Sequence, residues 1–245
     1  MWLPSTTTLG QSKSETVTAA KSCDEKMWLT HVCIHFLEQL SYFLKIQSGD
    51  YGVFRIGLIK PTLELLSGDK NLQEICNIEK RSKKTIKNRF SIAIQLGLVT
   101  KHKKNYFLTS FGSEIIAEGD KQTGDRLSEK QAEMLANFVI KNPFYSSATY
   151  TILAFVESVF VLAKSMYPIP RKDVQGYFIK SVGKTGTWKA EKARKTASSI
   201  FSNYACELEL LANVDNHFYI TPKGMQAILL LQLNRSIKLI ESQQI

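Results

Sequence analysis

Apolar residues recur at helical spacing along most of this chain, and the exceptions come as two pairs of short runs. The segment 27–44, MWLTHVCIHFLEQLSYFL, is the first with a helical period. A second apolar stretch covers 54–68, where Pro61 marks a helix start or a kink. Residues 71–99 divide into a short helix over 71–78, a turn near Lys80 and Arg81, and a longer helix from about Ser82 to Leu96. Ser82 suits an N-cap and Gly97 a stop. The period then changes: LVTKHKK and NYFLT are β-prone runs around a polar centre, hence a hairpin, and TSFGSEIIAEG restarts a helix. The stretch 119–126, GDKQTGDR, has no apolar residue and reads as a linker.

Ser128 with Gln131 forms a capping box that opens a helix over 128–142, which Pro143 ends. A long apolar helix follows over 147–165, then a break at YPIP, 167–170, and a short amphipathic helix in RKDVQGYFIKSVG. A long helix starts near Thr187. LLANVDN and HFYIT make a second hairpin, and a closing helix begins at PKG.

The two hairpins belong to a larger repeat. KNYFLTSFG and NHFYITPKG share an aromatic, an apolar residue, a Thr and a Gly, with Thr109 and Thr221 separated by 112 positions. Ala93, Leu96, Leu98, Phe107, Leu108 and Gly112 correspond to Ala205, Leu208, Leu210, Tyr219, Ile220 and Gly224 at that same offset. Both copies read short helix, turn, long helix, hairpin, helix. That is the order of a winged helix-turn-helix, whose long second helix and following hairpin face a duplex. The expected fold is mainly α with small β-hairpins: two such units in tandem. The expected division is a polar tail over 1–22, a first unit over 23–122, a connecting segment over 123–146 and a second unit over 147–245.

Charge sharpens this picture. The chain of 245 residues is 44% hydrophobic, as globular proteins are, yet its net charge is +10. Such an excess favours a polyanionic partner. It is concentrated: from Lys80 to Lys104 there are nine Lys or Arg and no Asp or Glu. An ordinary solvated helix face mixes signs and gains from the pairs; a run of one sign repels itself unless phosphate neutralises it.

On the first long helix Ile86, Phe90, Ala93 and Ile94 share the core face. Arg81, Lys83, Lys84, Lys87, Asn88, Ser91 and Gln95 are then placed to meet base edges and phosphates. In the hairpin, Lys101, Lys103 and Lys104 would follow a phosphate backbone. In the second copy Ala193, Ala197, Ile200, Phe201, Tyr204 and Leu208 form the core face. Lys184, Trp188, Lys189, Lys192, Lys195 and Ser199 are the DNA-facing candidates there. The second hairpin carries Asp215 and no cation, so the two copies are expected to engage DNA unequally.

No catalytic, metal or cofactor site is read from the chain. His31 and His35 share a helix face, but Cys33 lies about 200° away, so the three do not form a ligand set. No Glu-x-Lys occurs, and Asp24–Glu25–Lys26 is the sole Asp-x-Lys. There is no phosphate-binding Gly loop, nucleophile elbow or dinucleotide fingerprint. Four scattered cysteines without a Cys-x-x-Cys suggest a reducing, intracellular compartment. The apolar run 148–163 is interrupted by Glu157 and is short for a bilayer span, so no membrane contact is expected.

NRFSIAIQLGLVTKHKKNYFLTSFGSEI, LSEKQAEMLANFVIKNPF and KARKTASSIFSNYACELELLANVDNHFYITPKG together resemble the DNA-recognition region of type IIS restriction endonucleases of the FokI kind. The resemblance covers about 30–235 in element order. It implies winged-helix units reading a short duplex site, and a restriction system as the context. The family's nuclease domain has no counterpart here, so cutting would fall to a partner nuclease chain. A transcriptional or plasmid-replication regulator and a winged-helix adaptor for protein partners are the alternative roles. Double-stranded DNA is the expected partner, with a nuclease subunit or a second copy beside it.

Overall fold

A computed structural model describes residues 52–243 except 69, 121–123 and 187. The segment 27–44, the tail read over 1–22 and the His31, Cys33 and His35 group lie outside the described residues.

Local signals set most boundaries. A short 3-10 turn, Ile56–Ile59, leads into α1, Lys60–Ser67, with Pro61 in the first turn, where its missing N–H removes no helical bond. Helix α2, Leu72–Glu79, begins with a reciprocal cap between Asn71 and Glu74 and ends at Lys80, which is left-handed (φ 51°). Helix α3, Lys83–Gln95, starts where the Ser82 hydroxyl accepts the Thr85 N–H. Strands β1, Val99–His102, and β2, Asn105–Leu108, pair antiparallel, and α4, Ser110–Ala117, follows. Helix α5, Glu129–Lys141, carries the expected Ser128–Gln131 cap.

The apolar α6, Ser147–Leu162, is buried over most of its length. Then come β3, Ile169–Pro170, α7, Arg171–Ser181, α8, Glu191–Glu207, the hairpin β4, Leu211–Val214, with β5, His217–Ile220, and α9, Pro222–Gln243. The fold is mainly helical with small antiparallel sheets, one of two strands and one ordered β3-β5-β4.

Two expectations change. YPIP reads as a break, but Ile169 and Pro170 pair with Phe218 and His217 of β5. Proline is tolerated there because β3 is an edge strand, where no ladder N–H is required of it. The second long helix starts at Glu191, not near Thr187. Trp188 precedes it, with its N–H donated to the Lys184 carbonyl at 2.8 Å and its own carbonyl accepting from Arg194 Nε at 2.7 Å.

The repeat is physical as well as textual. Strands β4 and β5 are β1 and β2 displaced by 112 positions at both ends. The Leu98 N–H donates to the Ala93 carbonyl and the Leu210 N–H to the Ala205 carbonyl, each at 2.9 Å. The Thr109 and Thr221 hydroxyls each accept the N–H of the glycine three residues on, both at 2.9 Å. Those glycines are required by close approach. A Cβ on Gly112 would stand 2.1 Å from the Leu98 carbonyl oxygen, and one on Gly224 2.0 Å from that of Leu210. The repeated words are therefore a hairpin-to-helix joint in which the helix start presses on the residue that enters the first hairpin strand.

The halves clasp each other through equivalent positions. Gln95, at the end of α3, accepts the Ala148 N–H (3.1 Å) and the Ser147 hydroxyl (2.8 Å) at the start of α6. Glu207, 112 positions later at the end of α8, accepts the Ile56 N–H at 2.6 Å. The Tyr204 hydroxyl donates to the Val53 carbonyl, and Asn203 Nδ2 to that of Phe54 at 3.3 Å. One continuous set of buried residues runs through both halves.

Candidate nucleic-acid interface

Helix α3 buries Ile86, Arg89, Phe90, Ile92 and Ala93. Arg89 is the surprise on that face. Its guanidinium pairs with Glu79 and donates to the Thr62 hydroxyl at 3.0 Å, while Thr62 donates to Glu79 at 2.6 Å. A charge in the interior needs such a closed set of partners. Arg89 is thus neutralised inside and holds α3 against α1 and α2.

The other eight cations of the run, Lys80, Arg81, Lys83, Lys84, Lys87, Lys101, Lys103 and Lys104, are all exposed. Among the described residues none of them forms an ion pair. Their position compounds the cost. The first turn of α3 has no acidic residue, whereas α2, α5 and α8 begin with Glu74, Glu129 and Glu191. Positive side chains at the positive end of a helix dipole are destabilising, by roughly 0.3–1 kcal/mol each, unless an anion sits among them.

The hairpin is fixed beside this helix. Tyr106 of β2 stacks on Phe90 of α3 with ring centroids 4.1 Å apart, and Lys101 Nζ lies 5.8 Å from the Tyr106 ring. Lys103, left-handed at φ 55°, forms the hairpin tip with Lys104. The basic helix start and the basic hairpin are thus two parts of one packed unit.

Not every candidate stands free on that surface. Ser91 is half-buried. Asn88 is half-buried at the edge, where the Gly52 backbone lies so close that a Cβ there would be 2.5 Å from the Asn88 Cβ. Gln95 has its carbonyl oxygen committed to α6.

In the second half, Lys189 and Lys192 are exposed. Lys195 is exposed too, but pairs with Glu191 at 2.7 Å, and that hydrogen bond and charge hold the Glu191 carboxyl below its ordinary range. Lys184 and Trp188 are corrections: both are buried, at 7% and 5% exposure. The indole packs on Phe178 with ring centroids 6.1 Å apart. Sequence spacing places Trp188 on the outer face of a helix, but it lies in the connection before the helix, which folds its large apolar surface inward.

What sequence reading missed is a cationic cleft of 590 Å³ between α7, α8 and the second hairpin, lined by Arg171, Lys172, Lys195, Ser199, Asn216 and His217 among others. The Arg171 N–H donates to the Asn216 carbonyl at 2.9 Å, which ties the start of α7 to the hairpin tip. The adjacent Arg171 and Lys172 were the available signal, but without β3 nothing in the sequence brings them to the hairpin.

Among the described residues no three His, Cys, Asp or Glu side chains gather as metal ligands do, and no helix is long and apolar enough to cross a membrane. Cys76 is buried, and burial pushes the Cys206 thiol up to about 11, so neither is poised as a nucleophile. Comparison of the chain with protein-family models, with curated proteins and with solved structures found no match.

Proposed function

We propose that this protein binds double-stranded DNA in a sequence-dependent way, through two winged helix-turn-helix units of unequal strength. The observation that carries the reading is the set of eight exposed cations on the turn before α3, on α3 and on its hairpin, none of them in an ion pair among the described residues. They sit at a helix start without acidic residues and beside a ribbon packed onto that helix. Lys84 and Lys87 are the exposed residues best placed to meet base edges, with the half-buried Ser91 on the same helix face. Lys101, Lys103 and Lys104 meet phosphates. The second unit contributes Lys189, Lys192 and the cleft of Arg171, Lys172 and Lys195.

The role as recognition module of a restriction system, with cutting by a partner chain, rests on the resemblance of element order over about 30–235. Selection of bound sequences from random duplexes tests the reading. Enrichment of one short motif is expected, and the preference should relax when Lys84, Lys87 and Ser91 become Ala. Equal recovery of all sequences would overturn sequence dependence. The restriction role further predicts that duplex incubated with Mg²⁺ and this chain alone stays intact.

A further inference from the structure

Helix α9 is apolar on two opposite faces. One face packs on α5 and α6 and buries Ala227, Ile228, Leu231 and Arg235. The other presents Leu229, Leu233, Ser236 and Ile240, at steps of 4, 3 and 4 residues. At about 100° per residue these four fall within roughly 60° of one another. Leu229, Leu233 and Ile240 are 62%, 55% and 58% exposed, and Met225 and Ile237 flank them. A helix that is apolar all round is ordinarily buried.

Three polar groups bordering this seam, on Gln232, Asn234 and Ser236, are already used. The Ser236 hydroxyl donates to the Gln232 carbonyl at 3.0 Å, the Gln232 amide to Glu157, and Asn234 Nδ2 to the Leu230 carbonyl at 2.8 Å. Arg235 is the single charge between Lys223 and Lys238, and it is turned inward onto Glu157 at 2.5 Å and Tyr150 at 3.2 Å. Over 225–237 the outer face carries no charge, and the exposed Gln226, three residues before Leu229, adds an amide at its edge.

We propose that a second copy of this chain docks here, with the two α9 helices antiparallel about a two-fold axis between Leu233 and Ser236. Two observations select that occupant. First, the chain carries +10, so most faces of two copies repel, and this uncharged face lets them meet without opposing cations. It offers nothing to a charged partner. Second, the spacing 4-3-4 reads the same in both directions. Antiparallel pairing sets Leu233 on the small Ser236 of the partner subunit and Leu229 on Ile240 of the partner subunit, a self-complementary seam of the isologous kind. The inference does not depend on the DNA-binding reading.

Sedimentation velocity of the full chain over a concentration series tests it. The wild type should run as a dimer, and a variant with Leu229→Glu and Leu233→Glu should dissociate at least about 100-fold more readily, with unchanged helical circular dichroism. As a second readout, chains with Leu233→Cys mixed with chains with Ser236→Cys should form a disulfide-linked dimer under mild oxidation, above the wild-type background and above either variant alone. A monomeric wild type throughout, a dimer that survives both Glu substitutions, or no cross-link in the mixture would overturn the proposal. A monomer that the Glu substitutions destabilise would instead assign the face to the chain's own segment 27–44, which also overturns it.

Discussion

The two halves share a joint and differ in charge. From Ala93 to Gly112 and from Ala205 to Gly224 the backbone hydrogen bonds, strand limits and close glycine contacts coincide. Yet at the same offset Lys84 becomes Thr196, Lys87 becomes Ser199, Lys101 becomes Asn213, and the tip Lys103–Lys104 becomes Asp215–Asn216. The turn before the long helix also differs: 80–82 in the first half, and the longer 182–190, with its buried Trp188, in the second. What is kept is geometry that sterics dictate; exposed charge varies apart from Lys80 and Lys83, which match Lys192 and Lys195. This is the pattern expected where one scaffold is used twice and only one copy makes the main contact with a polyanion.

Breaking the scaffold should cost the most. Each half contains an interior ion pair, Glu79 with Arg89 and Glu157 with Arg235. Burial opposes the Arg235 charge, but the Glu157 carboxylate beside it more than offsets this and raises its pKa. Glu79→Ala and Glu157→Ala each strand a buried guanidinium, so urea unfolding should show losses of about 3–5 kcal/mol. Gly112→Ala and Gly224→Ala should each lose about 3 kcal/mol, because the new methyl meets backbone that cannot yield. A large loss at one glycine and none at the other would end the claim of a common joint.

Exposed charge should behave asymmetrically. Lys103→Ala with Lys104→Ala should reduce the salt slope of duplex binding by about 2, with the affinity loss alike on all sequences. Asp215→Ala should leave both nearly unchanged. An equal response from the two hairpin tips would remove the distinction between the halves.

The clasp should give the smallest effects. Gln95→Ala should cost about 1–2 kcal/mol through the unpaired start of α6. Burial raises the pKa of Glu207 above 4.5, against the opposing Ile56 and Gly57 amides. The folded state therefore holds that proton more tightly. The Glu207 contribution is fully present below 4.5 and is lost as pH rises through the raised value. Glu207→Gln should flatten that part of the stability–pH curve.

Most of the helices were legible because their signals are local: Ser82, Ser128 and Pro143 mark ends by their own chemistry. The repeat was legible because Gly112 and Gly224 answer a fixed steric demand. Exposed cations on α3 could be read from the absence of any acid nearby. The failures are all long-range. Arg89 looks like its neighbours until Glu79 and Thr62 fold over it, and Trp188 looks like a helix residue until Phe178 receives it. The strand β3 has no strand signal of its own and exists through pairing with β5. Because it went unseen, so did the cleft of Arg171 and Lys172.

The most direct measurement is the affinity of the full chain for a duplex of about 25 base pairs across a salt series, beside a variant with Lys101, Lys103 and Lys104 changed to Ala. The account predicts a log–log slope of roughly −4 to −8 for the wild type, shallower by about 3 in the variant. A wild-type slope near zero, or the same slope in both proteins, would contradict it.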